Sequence, residues 1–302
     1  MVKILVPATS ANLGPGFDFL GLALELYNTV EFAPEQEWVV TAEGHAASKL
    51  TGRSDLLVCQ AIRAVYSQVG RELPGARVHL RNNIPDVGGL GSSASAIVGG
   101  LAAANTYLGS PLSKPDLLQL AAALEGHPDN VAPAIFGGLV AVYRGEEEHI
   151  SALQIPFPEG IKVVLAVPEL KVSTTAARSI LPKTVPLADA VFNLSHTGLL
   201  VGACFAGRAD LLRVAMEDRL HQEKRATLIP GFWTVVDQAY QAGAYGVALS
   251  GSGPTIIALT SEEKVSPVGA AMQAAFAGAG VKAKWLSLSV NTGGYIVAPG
   301  DW

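Results

Sequence analysis

The sequence predicts an α+β protein built as two domains, residues 1–157 and 158–302. Three observations carry this expectation. The 302 residues are 49% hydrophobic and only 16% charged, with 32 glycines, a composition that suits a packed α/β or α+β enzyme and argues against disorder. The stretch Gln154-Ile155-Pro156-Phe157-Pro158-Glu159-Gly160 sets two prolines and a glycine between the first half and a fresh strand at 162–167, as a domain linker does. Beyond that break the elements read β-α-β-β-α-β with helical insertions, the ferredoxin-like order. The chain is long enough to bury a core in each half.

The elements follow in order. Residues 3–7 read as a first strand, and Ala8 to Asp18, broken by Gly14-Pro15-Gly16, as a loop. Strand signals recur at 28–32 and 38–42. Residues 55–69 carry a helical pattern entered by Ser54 or Asp55 and closed by Gly70. The apolar positions of 76–80 alternate as in a strand, and 96–104 reads as a helix. Ser113, with Asp116 three residues on, opens a further helix that ends near Glu125. Residues 127–130 read as a turn, 131–136 as a short helix and 137–143 as a strand; Glu146-Glu147-Glu148 reads as a solvated loop. In the second half, helices are expected around 173–181, 187–206, 208–217, 231–242 and 267–278. Strands are expected at 246–250, 255–260 and 284–290. There are no internal repeats.

Net charge −5 and a pI near 5.7 give no general attraction to nucleic acid or to an acidic membrane. Cys59 and Cys204 lie far apart, without metal-ligand spacing, and read as reduced core residues of a cytoplasmic protein. The opening Met-Val-Lys-Ile-Leu-Val-Pro is too soon broken for a signal peptide, and no apolar run reads as long enough to span a membrane, since 191–206 holds Asn193 and His196. The apolar strands are compatible with a homodimer.

The most informative segment is Pro85-Asp86-Val87-Gly88-Gly89-Leu90-Gly91-Ser92-Ser93-Ala94-Ser95, between a strand and a helix. Glycines let backbone approach a bulky anion, and the new helix offers unpaired N–H groups and the positive end of its dipole. Serines at that terminus also suit an N-cap. This is a phosphate cradle without the Gly-x-x-x-x-Gly-Lys-Ser/Thr of a P-loop. Ser93 and Glu125 are oxygen donors of the kind Mg²⁺ takes beside phosphates; by position alone Glu125 reads rather as a solvated helix end. Arg178 and Arg225 suit a carboxylate or phosphate, although a lone Arg is ordinarily a surface residue. His127 and Asn130, beside Glu125, are better placed for substrate than for metal.

Together these segments resemble the GHMP kinases, the family of galactokinase, mevalonate kinase, phosphomevalonate kinase and homoserine kinase. The glycine loop is similar to that family's ATP motif, and Ser250-Gly251-Ser252-Gly253-Pro254-Thr255 to its third motif. Pro7-Ala8-Thr9-Ser10-Ala11-Asn12-Leu13-Gly14-Pro15-Gly16-Phe17-Asp18 resembles the first motif of the homoserine kinases in particular, as does Glu125-Gly126-His127-Pro128-Asp129-Asn130 in its own region. The resemblance implies an N-terminal domain like ribosomal protein S5 domain 2, a ferredoxin-like C-terminal domain and an active site between them. It implies ATP with Mg²⁺ and phosphorylation of the hydroxyl of L-homoserine, a step toward threonine. By matching positions, Pro85 to Ser95 would wrap the phosphates and Ser93 and Glu125 serve Mg²⁺. Asn12, Asp18, His127, Asn130, Arg178 and Arg225 would surround homoserine, with Asp18 at the ammonium, the arginines at the carboxylate or γ-phosphate, and Asn130 at the reacting hydroxyl. The chain departs from many relatives in reading Gln222-Glu223-Lys224 before Arg225, where those carry Pro-Tyr. An acceptor without an ammonium, such as mevalonate, would leave Asp18 without its partner. A non-catalytic nucleotide-binding member is the other reading, against which the retained Ser93, Glu125 and loop argue.

Overall fold

A computed structural model describes residues 1–86, 88–145 and 149–299. The first strand is much longer than its sequence signal: β1 (Val2–Asn12) pairs antiparallel with β2 (Gly16–Glu35) along its whole length, with register shifts at Pro7/Ala8 and Ala11/Asn12. Residues 8–18, expected as a loop, are therefore mostly strand, and the turn shrinks to 13–15. Asn12, Leu13 and Gly14 make it with φ of 73°, 50° and 87°. A bulge beside Pro7 lets a residue without an N–H sit inside a ladder.

β3 (Val39–Gly44) pairs parallel with β4 (Gly75–Asn82), and β5 (Leu139–Arg144) pairs with β2 and with β6 (Ile150–Ile155). β6 was not expected; its apolar Ile150, Leu153 and Ile155 do not alternate. Together with β11 (Ile296–Ala298), also unexpected, these strands form a sheet with the path β11-β1-β2-β4-β3. The chain end thus returns to the first sheet. On one face lie α2 (Leu57–Gln68), α3 (Ser92–Tyr107), α4 (Lys114–Glu125) and α5 (Pro128–Phe136), whose apolar sides share a core with Ile4, Val6, Val30, Phe32, Val78 and Val140. A short α1 (Ala47–Leu50) precedes them. The expected caps of α2 are not used: Leu56 holds the N-cap position without a side-chain bond. The expected cap of α4 is: Ser113 and Asp116 form a reciprocal capping box. The expected turn at 127–130 is already helical from Pro128, with His127 at the N-cap.

The second sheet holds β7 (Ile161–Pro168), β8 (Gly246–Leu249), β9 (Ile256–Ser261) and β10 (Ala283–Leu288), all antiparallel, in the order β10-β7-β9-β8. This is the ferredoxin-like arrangement expected from element order. α10 (Phe232–Ala242) and α11 (Val265–Gly278) cover one face. The other face meets the first sheet through Ala8, Leu20, Leu22, Val163, Leu165 and Ile257, with α7 (Leu187–Phe205) and α8 (Leu212–Ala215) against the same core. α6 (Thr174–Ser179) and an unexpected α9 (Gln222–Ala226) are brief and border the cleft between the sheets.

By length and composition α7 is apolar enough to cross a membrane, which corrects the reading that no run is. Its Asn193 is nevertheless buried, donating to Asp218 Oδ1 at 2.7 Å, and Thr197 donates to Pro15 O at 3.0 Å, so one face of α7 packs on the hairpin tip. Its opposite face leaves Leu187, Leu194 and Phe205 exposed. Glu146, Glu147 and Glu148, expected as a solvated loop, lie outside the described residues. Both cysteines are free and buried; burial pushes the thiols of Cys59 and Cys204 up to about 11 and about 12.

Candidate active site

The cradle is built by the segment between β4 and α3. Buried Asn28 on β2 accepts from the N–H groups of Asn83 and Ile84, both at 2.9 Å, and donates to Ser95 Oγ at 2.9 Å. One side chain thereby ties the start of the loop to the first turn of the helix. The N-cap of α3 is Gly91 in the left-handed region, φ 65°, ψ 31°, with no side-chain cap. The expected serine cap is replaced by a residue that only turns the chain, so the first-turn N–H groups face the cleft uncapped by any side chain, as an anion site requires.

Glycine is obligatory here because of what closes on the loop. An added Cβ at Gly88 would lie 2.7 Å from Gly253 O, and one at Gly91 would lie 2.0 Å from Thr9 Oγ1. Thr255 Oγ1 donates to Gly88 O at 2.8 Å, and Ser250 Oγ donates to Gly89 O. The turn after β8, the loop before α3 and β1 are thus one packed unit, although they come from distant parts of the chain.

A cavity of about 440 Å³ opens beside this unit. From the loop, Pro85, Asp86, Gly88, Gly89, Leu90, Gly91, Ser92 and Ser93 line it. Val87 lies outside the described residues. Ala94 turns into the apolar core instead, and Ser95 is buried, its Oγ donating to Ser92 O at 2.8 Å while it faces a neighbouring cavity. Both point away from the cradle because a helix carries its third and fourth residues around to the far side. Asn12, Asp18, Glu125, His127, Asn130, Arg178 and Arg225 all line the same cavity as the loop.

Their partners differ in kind. Asn12 is spent on scaffolding: its Nδ2 donates to Gly251 O at 2.9 Å and its Oδ1 accepts from Asp18 N at 3.0 Å. Arg178 grips Asp18 with two bonds, 3.0 and 2.8 Å, which raises the guanidinium above its ordinary value. Arg225, 2% exposed, donates from Nε to Ala177 O at 3.2 Å and from Nη1 to Gly251 O at 3.2 Å. Burial, then the like charge of Arg178, pulls it down. His127 Nδ1 lies 2.8 Å from Asp129 Oδ1, and that bond raises the imidazole against the opposing effect of burial. Ser93 Oγ donates to Glu125 Oε2 at 2.7 Å; burial raises this carboxyl, with the Ser93 bond opposing. A hydroxyl and a carboxylate beside a phosphate cradle fit Mg²⁺, which keeps few protein oxygens and takes the rest from phosphates and water. Among the described residues no cluster of three or more His, Cys, Asp or Glu could cage a metal alone.

Two residues here, Phe17 and Lys171, escaped the sequence reading, and two more, His221 and Asp129, carry no assigned role in it. Phe17 is a ring on which His221 stacks at 5.1 Å and toward which the guanidinium carbons of Arg225 and Arg178 face at 5.1 and 5.8 Å. His221 is buried, its Nε2 2.8 Å from Gly14 O and its Nδ1 3.3 Å from Arg225 Nη1. A carbonyl only accepts, so Nε2 carries the proton and Nδ1 offers its lone pair to Arg225. Lys171 reaches across the cleft to Asp86 at 3.2 Å. Asp129 is buried and lines the cavity. Phe17 and Asp129 sit inside quoted motifs; His221 reads from sequence as a structural histidine, and nothing local marks Lys171.

A cradle that waits for phosphate, facing a recess that carries both charge signs, fits an enzyme that phosphorylates a small molecule, and the chain's relatives are of that class. Residues 56–138 match the family described as GHMP kinases N terminal domain, and residues 200–278 match GHMP kinases C terminal. The chain is 47% identical over 285 residues to a homoserine kinase of Carboxydothermus hydrogenoformans, covering 94% of this chain and 92% of the relative. It is 44% identical to that of Desulfitobacterium hafniense, covering 98% and 100%. A crystal structure of homoserine kinase from Cytophaga hutchinsonii superposes with TM-score 0.89 at 32% identity, covering 98% of this chain and 97% of the other. A mevalonate kinase structure, at TM-score 0.72 and 16% identity, shares the fold. The chain belongs to the homoserine kinase family of the GHMP kinases.

Proposed function

We propose that this chain transfers the γ-phosphoryl group of ATP to the side-chain hydroxyl of L-homoserine, giving O-phospho-L-homoserine on the route to threonine. The observation that carries the reading is one cavity in which the uncapped start of α3 faces Asn130, Asp18, Arg178 and Arg225. Loop N–H groups and the α3 dipole hold the triphosphate. Ser93 and Glu125 would hold Mg²⁺, which when bound screens the phosphate charge. Asp18 takes the ammonium, Arg225 the carboxylate, and Arg178 shares itself between Asp18 and the moving phosphoryl group. His127 borders the substrate while fixing Asp129, and Asn130 orients the hydroxyl.

The work is orientation and electrostatic stabilisation. The hydroxyl oxygen bonds to the γ-phosphorus, ADP leaves, and the hydroxyl proton departs on a phosphoryl oxygen. Asp129 is assigned no role as a base; its Oδ1 is engaged by His127. The neighbouring cavity of about 310 Å³, which shares Leu57, Asp86, Ser92 and Ser93 with the first, suits the nucleotide base. Its walls include Val30, Leu50, Leu56 and Leu80, with Asn28 and Asn82 as polar groups.

The same reading takes 1–157 and 158–302 as the two domains, with the strand Ile296–Ala298 tying the chain end back to the first sheet. Two buried thiols support a cytoplasmic setting. The uncovered apolar face of α7 supports a homodimer, with a second copy as its occupant. The test of the activity is substitution of Asn130 or Arg225 by Ala. Turnover with homoserine should collapse while ATP still binds; two variants of normal activity would refute the assignment.

A further inference from the structure

Thr9 is fully buried in β1, yet it makes two bonds that reach the chemistry from opposite sides. Its backbone N–H donates to Leu90 O in the phosphate loop at 3.2 Å. Its hydroxyl lies 2.8 Å from Asn130 Oδ1, 121 residues away in sequence. The position an added Cβ would take on Gly91 is 2.0 Å from Thr9 Oγ1 and 3.2 Å from Asn130 Oδ1, so cradle, threonine and amide are in mutual contact.

The direction of the hydroxyl bond follows from chemistry. Asp129 Oδ1 lies 3.4 Å from the other end of the Asn130 amide, and a carboxylate only accepts. The NH₂ of Asn130 therefore faces Asp129, its carbonyl oxygen faces Thr9, and Thr9 must donate. Reversing the amide would set a carbonyl oxygen against a carboxylate. Asn130 is thus held from two sides: Asp129, itself clamped by His127, and Thr9, which is bonded to the loop.

We infer that Thr9 is a positioning residue that fixes which end of the Asn130 amide meets the acceptor hydroxyl and how far it stands from the phosphate loop. The inference rests on the kinase reading above. A residue bonded to both the donor cradle and the acceptor-side amide sets the approach of the two reactants, where a displacement of ~1 Å costs about 100-fold in rate.

The test compares Thr9→Val, which keeps the branched shape without the hydroxyl, with Thr9→Ser, which keeps the hydroxyl. Thr9→Ala stands in as the hydroxyl-free variant should valine not fold. Steady-state kinetics with homoserine and equilibrium binding of a non-hydrolysable ATP analogue are measured for each. The hydroxyl-free variant should lose about 100-fold in kcat with ATP-analogue affinity unchanged, and serine should restore kcat. Wild-type kcat in the hydroxyl-free variant would overturn the inference, as would a serine variant as slow as it. Parallel loss of nucleotide affinity would mark Thr9 as merely structural. A wild-type enzyme silent on homoserine overturns the kinase reading first and this inference with it, so the two failures are distinguishable.

Discussion

Asp18 and Arg178, 160 residues apart, meet through two parallel bonds, Nη1 to Oδ2 at 3.0 Å and Nη2 to Oδ1 at 2.8 Å. The family resemblance places Asp18 at a substrate ammonium, and the fold commits it first to a guanidinium. The two roles fit together. A charge left unpartnered in a half-buried recess is costly, and the pair spares both groups until an amino acid arrives. In the proposed reaction its ammonium shares Asp18 while its carboxylate turns to Arg225. Asp18 is itself held at φ 59°, with its N–H on Asn12 Oδ1.

Asp18→Asn keeps the size of the side chain and removes the charge. We expect KM for homoserine to rise about 10- to 100-fold, the scale of one charged hydrogen bond, with KM for ATP unchanged. Steady-state kinetics with each substrate varied in turn check this.

His221 should make stability depend on acid pH. Burial drives its imidazole below its ordinary value, as does Arg225, while Asp218, Asp18 and the Gly14 carbonyl oppose. The unfolded chain therefore binds a proton that the folded chain resists. Stability is complete above the unfolded value of about 6.5 and falls as pH drops below it toward the folded value. Thermal melts of wild type and His221→Gln from neutral to mildly acid pH should show a shallower decline in the variant.

Glu125→Gln removes a charge from the pair that faces the cradle at 2.7 Å from Ser93 Oγ. The Mg²⁺ concentration for half-maximal rate should rise about tenfold, on the scale of a lost charged contact, with the melting temperature held or raised because a half-buried charge is gone. A magnesium titration at saturating ATP and homoserine reads it.

Ser113→Ala breaks the capping box of α4, well away from the cavity. It should cost about 1 kcal/mol, seen as a melting temperature lower by about 1–2 °C, with kcat untouched. This variant separates stability from catalysis in the same assays.

What the sequence made legible was local. The capping box needs residues three apart, the cradle needs glycines within one loop, and the ferredoxin-like order needs only that each element read correctly. The strand signal of β1 stops short because Gly14-Pro15-Gly16 masks the strand residues before it, whose partner β2 cannot be seen from composition. β6 lacked alternation, and β11 is only Ile296–Ala298, too short to signal itself. The site's supporting bonds were out of reach for a different reason. Thr9–Asn130, Asp18–Arg178 and His221–Gly14 join residues 121, 160 and 207 positions apart, and no periodicity encodes such pairs. Ala94 and Ser95 show the converse: they belong to the motif by spelling, but the helix turns Ala94 into the core and Ser95 toward the neighbouring cavity.

In the proposed reaction the start of α3 presents ATP to the hydroxyl of an amino acid. ADP release measured with homoserine, threonine, mevalonate and galactose as acceptors tests it most directly. Rapid ADP formation with homoserine, matched by O-phospho-homoserine in ³¹P spectra and absent with mevalonate and galactose, is the expected result. Equal or faster release with mevalonate, or none with homoserine, would contradict it.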